Sequence, residues 1–197
     1  MTKLPLYILI FFTIFLCSCT QHQAKPLTEP TITAGQSTSF DNQELLAFQL
    51  SIGLLEINEE DKAYIMLRKL AINSKIPAVF ANLALLDFKS SNLDSAINHI
   101  EKAIKLEPDN HQYFNLLGLI LIEKEDFKKA KNALATSIGL SPHYDLAYYN
   151  MALLHDIYLQ DISNAITYYN KYLLVSNNDD TITQQWVKQL ISSRNRD

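Results

Sequence analysis

The side chains best suited to chemistry are spread along the chain and form no compact motif. Five histidines occur among the 197 residues, and no two lie three or four positions apart, the spacing that places two metal ligands on one helix face. They are His22, His99, His111, His143 and His155. We therefore expect no metal site and no cofactor.

Two other catalytic patterns also have simpler explanations. The densest acidic cluster, Glu59-Glu60-Asp61, is typical of a helix start, where negative charge interacts favourably with the helix dipole. Gly139-Leu140-Ser141 is followed by Pro142, which does not match the G-x-S-x-G turn of a serine nucleophile. The sequence predicts a protein that is not an enzyme.

The amino terminus carries both cysteines behind an apolar segment. Lys3 precedes a nearly unbroken apolar stretch over residues 4–17. As a helix this stretch would span roughly 21 Å, less than the roughly 30 Å of a bilayer core. A basic start, a short apolar region and small residues after it are typical of a secretory signal.

The residues Leu16-Cys17-Ser18-Cys19 resemble the lipobox of bacterial lipoproteins. The resemblance implies a signal peptide at residues 1–18, cleavage before Cys19, and acylation of Cys19 with two or more chains, which anchor a protein stably. Thr20 in place of Asp favours the outer membrane, with the protein facing the periplasm. The alternatives are ordinary secretion with release, or an uncleaved anchor.

Residues 19–40 are rich in Thr, Ser, Gln and Pro, with no apolar period, and are interpreted as a lipidated flexible tether. The remaining domain, 41–197, contains no cysteine and so neither a disulfide nor a thiolate site. The net charge of −4, with no run of Lys or Arg, argues against nucleic-acid binding. The four glycines are too far apart for a nucleotide-binding loop.

Residue types recur at intervals of 34 along this domain. Pro108 and Pro142 have this spacing, and so do large and small residues within each interval. The aromatic series is Phe80, Phe114, Tyr148; the aliphatic series is Leu83, Leu117, Met151; the small series is Ala84, Gly118, Ala152, continued in a second helix by Ala96 and Ala130. This period is typical of a helix-turn-helix repeat.

The pattern resembles the tetratricopeptide repeat, which implies an all-α, right-handed solenoid of about four hairpins. The predicted units are 44–76, 77–110, 111–144 and 145–180, with a capping helix at 182–194. The first unit matches weakly. The fourth has one extra residue before its second helix, which moves the small residue to Ala165. The small residues are expected where two helices meet closely, and the prolines where second helices end.

In this family the first helices line a concave surface that binds peptides or proteins. The corresponding residues here form a mainly apolar strip: Phe48, Ile52, Leu85, Phe88, Asn115, Leu119, Ile122, Tyr149 and Leu153. The open alternative is that several of them pack inside the superhelix. Asn82 and Asn150 occupy the place of a carboxylate-clamp asparagine, but the accompanying cations are mostly absent, so a clamp for a peptide terminus is not expected.

Two further features concern individual side chains of the repeats. Seven tyrosines lie between 144 and 172; Tyr148, Tyr169 and Tyr172 are expected in the core, Tyr149 on the concave surface and Tyr168 pointing outward. Asp87 and His155 both replace a bulky apolar residue, but they lie two units apart, too far for a direct proton relay.

Together these features predict a non-enzymatic, lipid-anchored scaffold in the bacterial envelope. The resemblance is to small envelope repeat lipoproteins that serve pilus or secretion complexes, peptidoglycan enzymes or outer-membrane assembly. The alternative is a self-associating structural lipoprotein, in which the apolar strip binds a second copy.

Overall fold

A computed structural model describes residues 42–177 and 179–195. The predicted signal peptide, Cys19 and the tether lie outside these residues. The described part of the chain contains nine helices and no strand, which confirms the all-α repeat fold.

The helices form four hairpins and a final single helix. Units one to four are the pairs α1–α2, α3–α4, α5–α6 and α7–α8, followed by α9. The bounds are α1 (Asn42–Glu56), α2 (Glu60–Leu70), α3 (Pro77–Lys89), α4 (Leu93–Leu106), α5 (His111–Glu123), α6 (Phe127–Leu140), α7 (Asp145–Leu153, extended by a π-helical turn over Leu154–Tyr158), α8 (Ile162–Val175) and α9 (Thr181–Arg194). The acidic cluster at 59–61 lies at the start of α2, as predicted.

Each hairpin turns through a non-glycine residue in the left-handed backbone region. These residues are Asn58, Ser91, Glu125 and Gln160, with φ between 52° and 62°. In unit three the Asp126 N–H then donates to the Leu121 carbonyl (2.9 Å), which closes the end of α5. The Asp126 side chain accepts from the Lys129 N–H, which caps the start of α6. The same few residues therefore end one helix and begin the next.

The stack of hairpins curves with the first helices on its inner side. Helix α3 contacts α5 and α5 contacts α7, whereas the second helices of neighbouring units approach one another less closely. Helices that lie closer together on one side of a solenoid make that side concave. The first helices therefore line a concave surface, and α2, α4, α6 and α8 form the convex one.

The recurring residues occupy the interfaces between helices. Buried among them are Phe80, Leu83, Ala84, Ala96, Gly118, Ala130, Tyr148, Met151, Ala152 and Ala165, while Phe114 and Leu117 are half-buried. A Cβ at Gly118 would lie 2.7 Å from Cγ and Cδ2 of Leu134, so α5 and α6 meet there in contact. Pro108 lies two residues after the end of α4, and Pro142 lies two residues after the end of α6. The small residues permit close packing, and the prolines follow the helix ends.

The extra residue of unit four is accommodated inside a helix. Helix α7 continues as the π-helical turn Leu154–Tyr158, and the Asp161 N–H donates to the His155 carbonyl at 2.8 Å across the widened turn. A π turn absorbs one additional residue without breaking the helix. The small residue Ala165 therefore still meets Ala152 in the core of unit four.

Helix α9 covers the end of the stack. Val187 and Leu190 are buried against a cluster that includes Tyr169 and Leu173 of α8. None of the helices within residues 42–177 and 179–195 is both long and apolar enough to span a bilayer.

Candidate functional site: the surface of the first helices

A row of leucines crosses the concave surface at one position per unit. Leu85, Leu119 and Leu153 are all half-buried, and so are Phe88 and Ile52. Each of these side chains therefore contributes part of its area to the core and presents the rest to solvent. We call Leu85, Leu119 and Leu153 the leucine row.

Three of the predicted contact residues are buried and are not open to a partner: Phe48, Asn115 and Ile122. Phe48 packs with Leu67 and Val79 in the core of units one and two. Ile122 belongs to the core of units three and four. For these three side chains the structure favours the alternative of packing inside the superhelix, because residues of both helices of a unit cover them.

The asparagines of the first helices bind one another or their own backbone. The Asn150 amide donates to Oδ1 of Asn115 at 2.9 Å, across the interface between units three and four. The Asn82 amide donates to the Ala78 carbonyl at 2.8 Å. Buried amides need such partners because an unpaired polar group in the interior is costly. Lys89 pairs with Glu60, so these residues do not assemble a carboxylate clamp.

The concave surface ends in an aromatic cluster tied to α9. Tyr149 lies against Tyr169 and Tyr172, with ring centroids 5.9 and 5.1 Å apart. Asp156 accepts hydrogen bonds from Trp186 Nε1 (2.7 Å) and from the Tyr169 hydroxyl (3.1 Å). The predicted contact residue Tyr149 is therefore half-buried against two tyrosine rings of α8.

A buried carboxylate in unit two holds two polar partners. Asp87 is 1% exposed; its Oδ1 accepts from the Tyr64 hydroxyl at 2.8 Å, and its Oδ2 lies 2.6 Å from Nδ1 of His99. Burial, followed by the Asp87 carboxylate, raises the pKa of Tyr64, so the hydroxyl remains a donor. Asp87 thereby fixes the orientation of the His99 ring.

The corresponding place in unit four holds a histidine with no such partners. His155 is 2% exposed and stacks on Tyr168 at 5.4 Å, so the prediction that Tyr168 points outward is wrong. Neither ring nitrogen of His155 forms a hydrogen bond to another described residue, although Nδ1 lies 3.3 Å from Oδ2 of Asp161. Burial lowers the pKa of His155, assisted by Lys131 and opposed by Asp161. The buried surroundings therefore favour the neutral form of the ring.

Replacement of His155 should flatten the pH dependence of stability. Because its pKa is lowered in the folded state, His155 stabilises the fold fully above its unfolded pKa near 6.5, and this contribution is lost as the pH falls below that value. Between pH 7 and 5, wild type should lose stability more steeply than His155→Leu, by up to about 1.4 kcal/mol per pH unit. Urea unfolding at several pH values measures the difference; parallel curves would contradict it.

Sequence reasoning identified Asp87 and His155 as unusual but missed their partners. Tyr64 and His99 belong to the second helices of units one and two, and the hairpin packs them against Asp87. In unit three the same place is filled by Ile97, Leu121 and Ala133. Tyr64, Asp87 and His99 stand at the positions that Ile97, Leu121 and Ala133 occupy one unit later. Comparison of these positions between units could have found the polar cluster, because all three change from apolar to polar together. Within the described ranges, no group of three or more His, Cys, Asp or Glu could hold a metal ion.

The fold and the concave surface define an all-α helical-repeat scaffold. The tetratricopeptide repeat family matches residues 77–110, 111–144 and 146–179, more than half of the chain, and the chain belongs to this family. Repeats of this family generally act as non-enzymatic scaffolds that mediate protein–protein interaction. Unit one has a hairpin in the structure but lies outside the matched residues.

A curated relative and several solved structures resemble the chain. The BBSome complex member BBS4 homolog of Drosophila melanogaster is 30% identical over 118 residues, 58% of this chain; this chain covers only 24% of that protein. PilF of Pseudomonas aeruginosa has a TM-score of 0.68 at 20% identity, covering 78% of this chain and 69% of PilF. MamA has a TM-score of 0.63 at 20% identity, covering 69% of this chain and 80% of MamA. The first TPR of Spaghetti, bound to an HSP90 peptide, has a TM-score of 0.55 at 17% identity, covering 61% and 94% of the two chains. These structural likenesses concern the fold.

Proposed function

We propose that the protein is a lipid-anchored scaffold on the periplasmic side of the outer membrane, which binds a protein partner through its concave surface. Acyl chains on Cys19 would fix it to the membrane, and residues 20–40 would tether the repeats. The bound partner would thereby be concentrated at the membrane, where it assembles into an envelope complex for pilus or secretion function, peptidoglycan processing or outer-membrane assembly.

The leucine row is the observation that carries this proposal. It presents one apolar side chain per unit along three consecutive units of the concave side. Exposed charges flank it at Lys89 and Glu123. An apolar strip bordered by charges suits an amphipathic or extended peptide segment, which buries its apolar side chains and leaves its polar ones at the rim.

The Leu119→Asp substitution should weaken partner capture at least tenfold. Leu119 lies in the middle of the leucine row, and a carboxylate there would be desolvated against the apolar side chains of a partner. Ala135→Asp is the matched control, because Ala135 is exposed on α6 of the convex side. Affinity capture from detergent-solubilised envelopes, followed by mass spectrometry, measures the effect.

The result is interpretable only if both variants remain folded, which circular dichroism and thermal unfolding establish. Capture that is unchanged in folded Leu119→Asp, or reduced equally in Ala135→Asp, would contradict the concave-surface proposal.

Self-association is the second candidate, and an observation favours it at a different surface. Leu46 and Leu50 of α1 and Ile57, directly after its end, are each more than half exposed at the start of the stack. Helix α9 covers the opposite end, whereas these side chains are uncovered by the described residues. Light scattering separates the candidates: a stable monomer at micromolar concentration contradicts self-association, and a dimer abolished by Leu50→Glu supports it.

A further inference from the structure

The convex side contains a basic cleft that the proposed scaffold function does not use. It has a volume of about 580 Å³ and lies between α2 and α4, the second helices of units one and two. Eight residues line it: Tyr64, Arg68, Ser95, Asn98, His99, Glu101, Lys102 and Lys105. Three permanent cations thus face a single carboxylate, Glu101, in a protein whose overall charge is −4. We call this site the α2–α4 cleft.

Neighbouring aromatic rings hold two of the three cations beside the cleft. The Arg68 guanidinium lies 5.9 Å from the centroid of the Tyr64 ring, and the Lys102 ammonium lies 5.7 Å from that of Phe80. Within the described part of the chain, none of Arg68, Lys102 and Lys105 has a carboxylate oxygen within 4 Å. The charges of these three side chains are therefore not paired with a carboxylate in the described part of the chain.

The buried Asp87 orients an imidazole at this cleft. Nδ1 of His99 lies 2.6 Å from Oδ2 of Asp87, so Nε2 is the ring nitrogen that this contact leaves unused. Since His99 lines the cleft, Nε2 is the nitrogen that a ligand there can reach. Tyr64 makes the second hydrogen bond to Asp87 and also lines the cleft.

This polar cluster is not required by the fold. Ile97, Leu121 and Ala133 fill the same place in unit three with ordinary apolar packing. Replacement of a buried polar cluster by well-packed apolar residues of similar volume is often neutral or stabilising, because buried polar groups lose their hydration. The presence of Asp87 is better explained by its contact with His99, which orients the imidazole ring, than by a contribution to stability.

We propose that the α2–α4 cleft binds a phosphomonoester. Among the residues that line the cleft, the three permanent cations exceed the single carboxylate by two charges, and the Asp87 carboxylate is buried and bound to Tyr64 and His99. This excess is comparable with the charge of about −1.5 to −2 that a phosphomonoester carries near neutral pH. An arginine fork can bind two phosphate oxygens at once, and lysines supply point charges to the others. Ser95, Asn98 and His99 add polar groups for the remaining oxygens. A monocarboxylate would neutralise only part of this charge.

Isothermal titration calorimetry on the full chain in detergent micelles tests the proposal with two phosphomonoesters. Glycerol 3-phosphate represents a soluble ligand, and short-chain phosphatidic acid represents a lipid headgroup; glycerol and acetate are the negative probes. We expect a dissociation constant below about 1 mM for one or both phosphomonoesters and no measurable binding of the negative probes. The phosphomonoester with the lower dissociation constant identifies the source of the phosphate, a soluble ligand or a lipid headgroup.

Variants assign the binding to the cleft. Arg68→Gln and Lys102→Gln should each weaken it at least tenfold, whereas Lys128→Gln, which removes an exposed cation on α6, should not change it. Asp87→Asn should weaken binding less than these two variants while leaving the helical content unchanged, because it acts through His99. Absence of binding by both phosphomonoesters, or equal weakening by Lys128→Gln, would overturn the proposal.

Discussion

Gly118→Val is expected to lower the free energy of unfolding by about 3 kcal/mol, at the upper end of the usual cost of overpacking. A Cβ at Gly118 would already lie 2.7 Å from two carbon atoms of Leu134, and the Leu134 side chain is completely buried. Leu134 cannot move aside without displacing Met151 and Leu154, which share its core cluster. The two helices of unit three must therefore separate, and chemical denaturation measures the loss.

The other helical glycines provide a matched control. A Cβ at Gly139 would meet nothing within 4 Å, and the same holds for Gly53. Alanine at Gly139 should therefore stabilise the protein by up to about 1 kcal/mol, since it reduces the backbone entropy lost on folding. If Gly118→Val unfolds at the same denaturant concentration as wild type, the close contact of α5 and α6 is not as described.

The second large effect is expected from Cys19→Ser, which should abolish palmitate labelling of the protein. Only a thiol can carry the lipid as a thioether, so serine removes every acyl chain. Each buried methylene of such a chain contributes about 0.8 kcal/mol to membrane binding, and two chains make anchoring stable. Fractionation of cells labelled with radioactive palmitate measures both the location and the lipid.

Cys17→Ser is the control, because Cys17 precedes the proposed cleavage site and is removed with the signal peptide. It should leave labelling and membrane location unchanged. Cys19→Ser that remains both membrane-bound and palmitate-labelled would contradict the lipoprotein proposal.

The repeat could be predicted from sequence because its spacing reflects packing. Small residues such as Ala84 and Ala152 recur where two helices touch, and Pro108 and Pro142 recur where second helices end. Each depends mainly on its own hairpin and the next one, so a period of 34 residues is sufficient to place them. The fold therefore followed from local and nearest-neighbour constraints.

The finer features of the surface depend on contacts between units and were partly mispredicted. Whether Ile122 lines the concave side or fills the core depends on how closely α5 and α7 approach each other. The 34-residue period does not determine that distance. His99 could not be assigned to Asp87 from either residue alone. Tyr168 was misplaced because its stacking partner, His155, belongs to the other helix of the unit.

The most direct test of the proposed scaffold is photo-crosslinking in intact cells, with benzoylphenylalanine incorporated at one position at a time. Glu123 is exposed at the end of α5, beside the leucine row, and Lys128 is exposed on α6. A concave binding surface predicts a discrete crosslinked protein from position 123 and none from position 128. No crosslinked protein at position 123, or the same products from both positions, would contradict it.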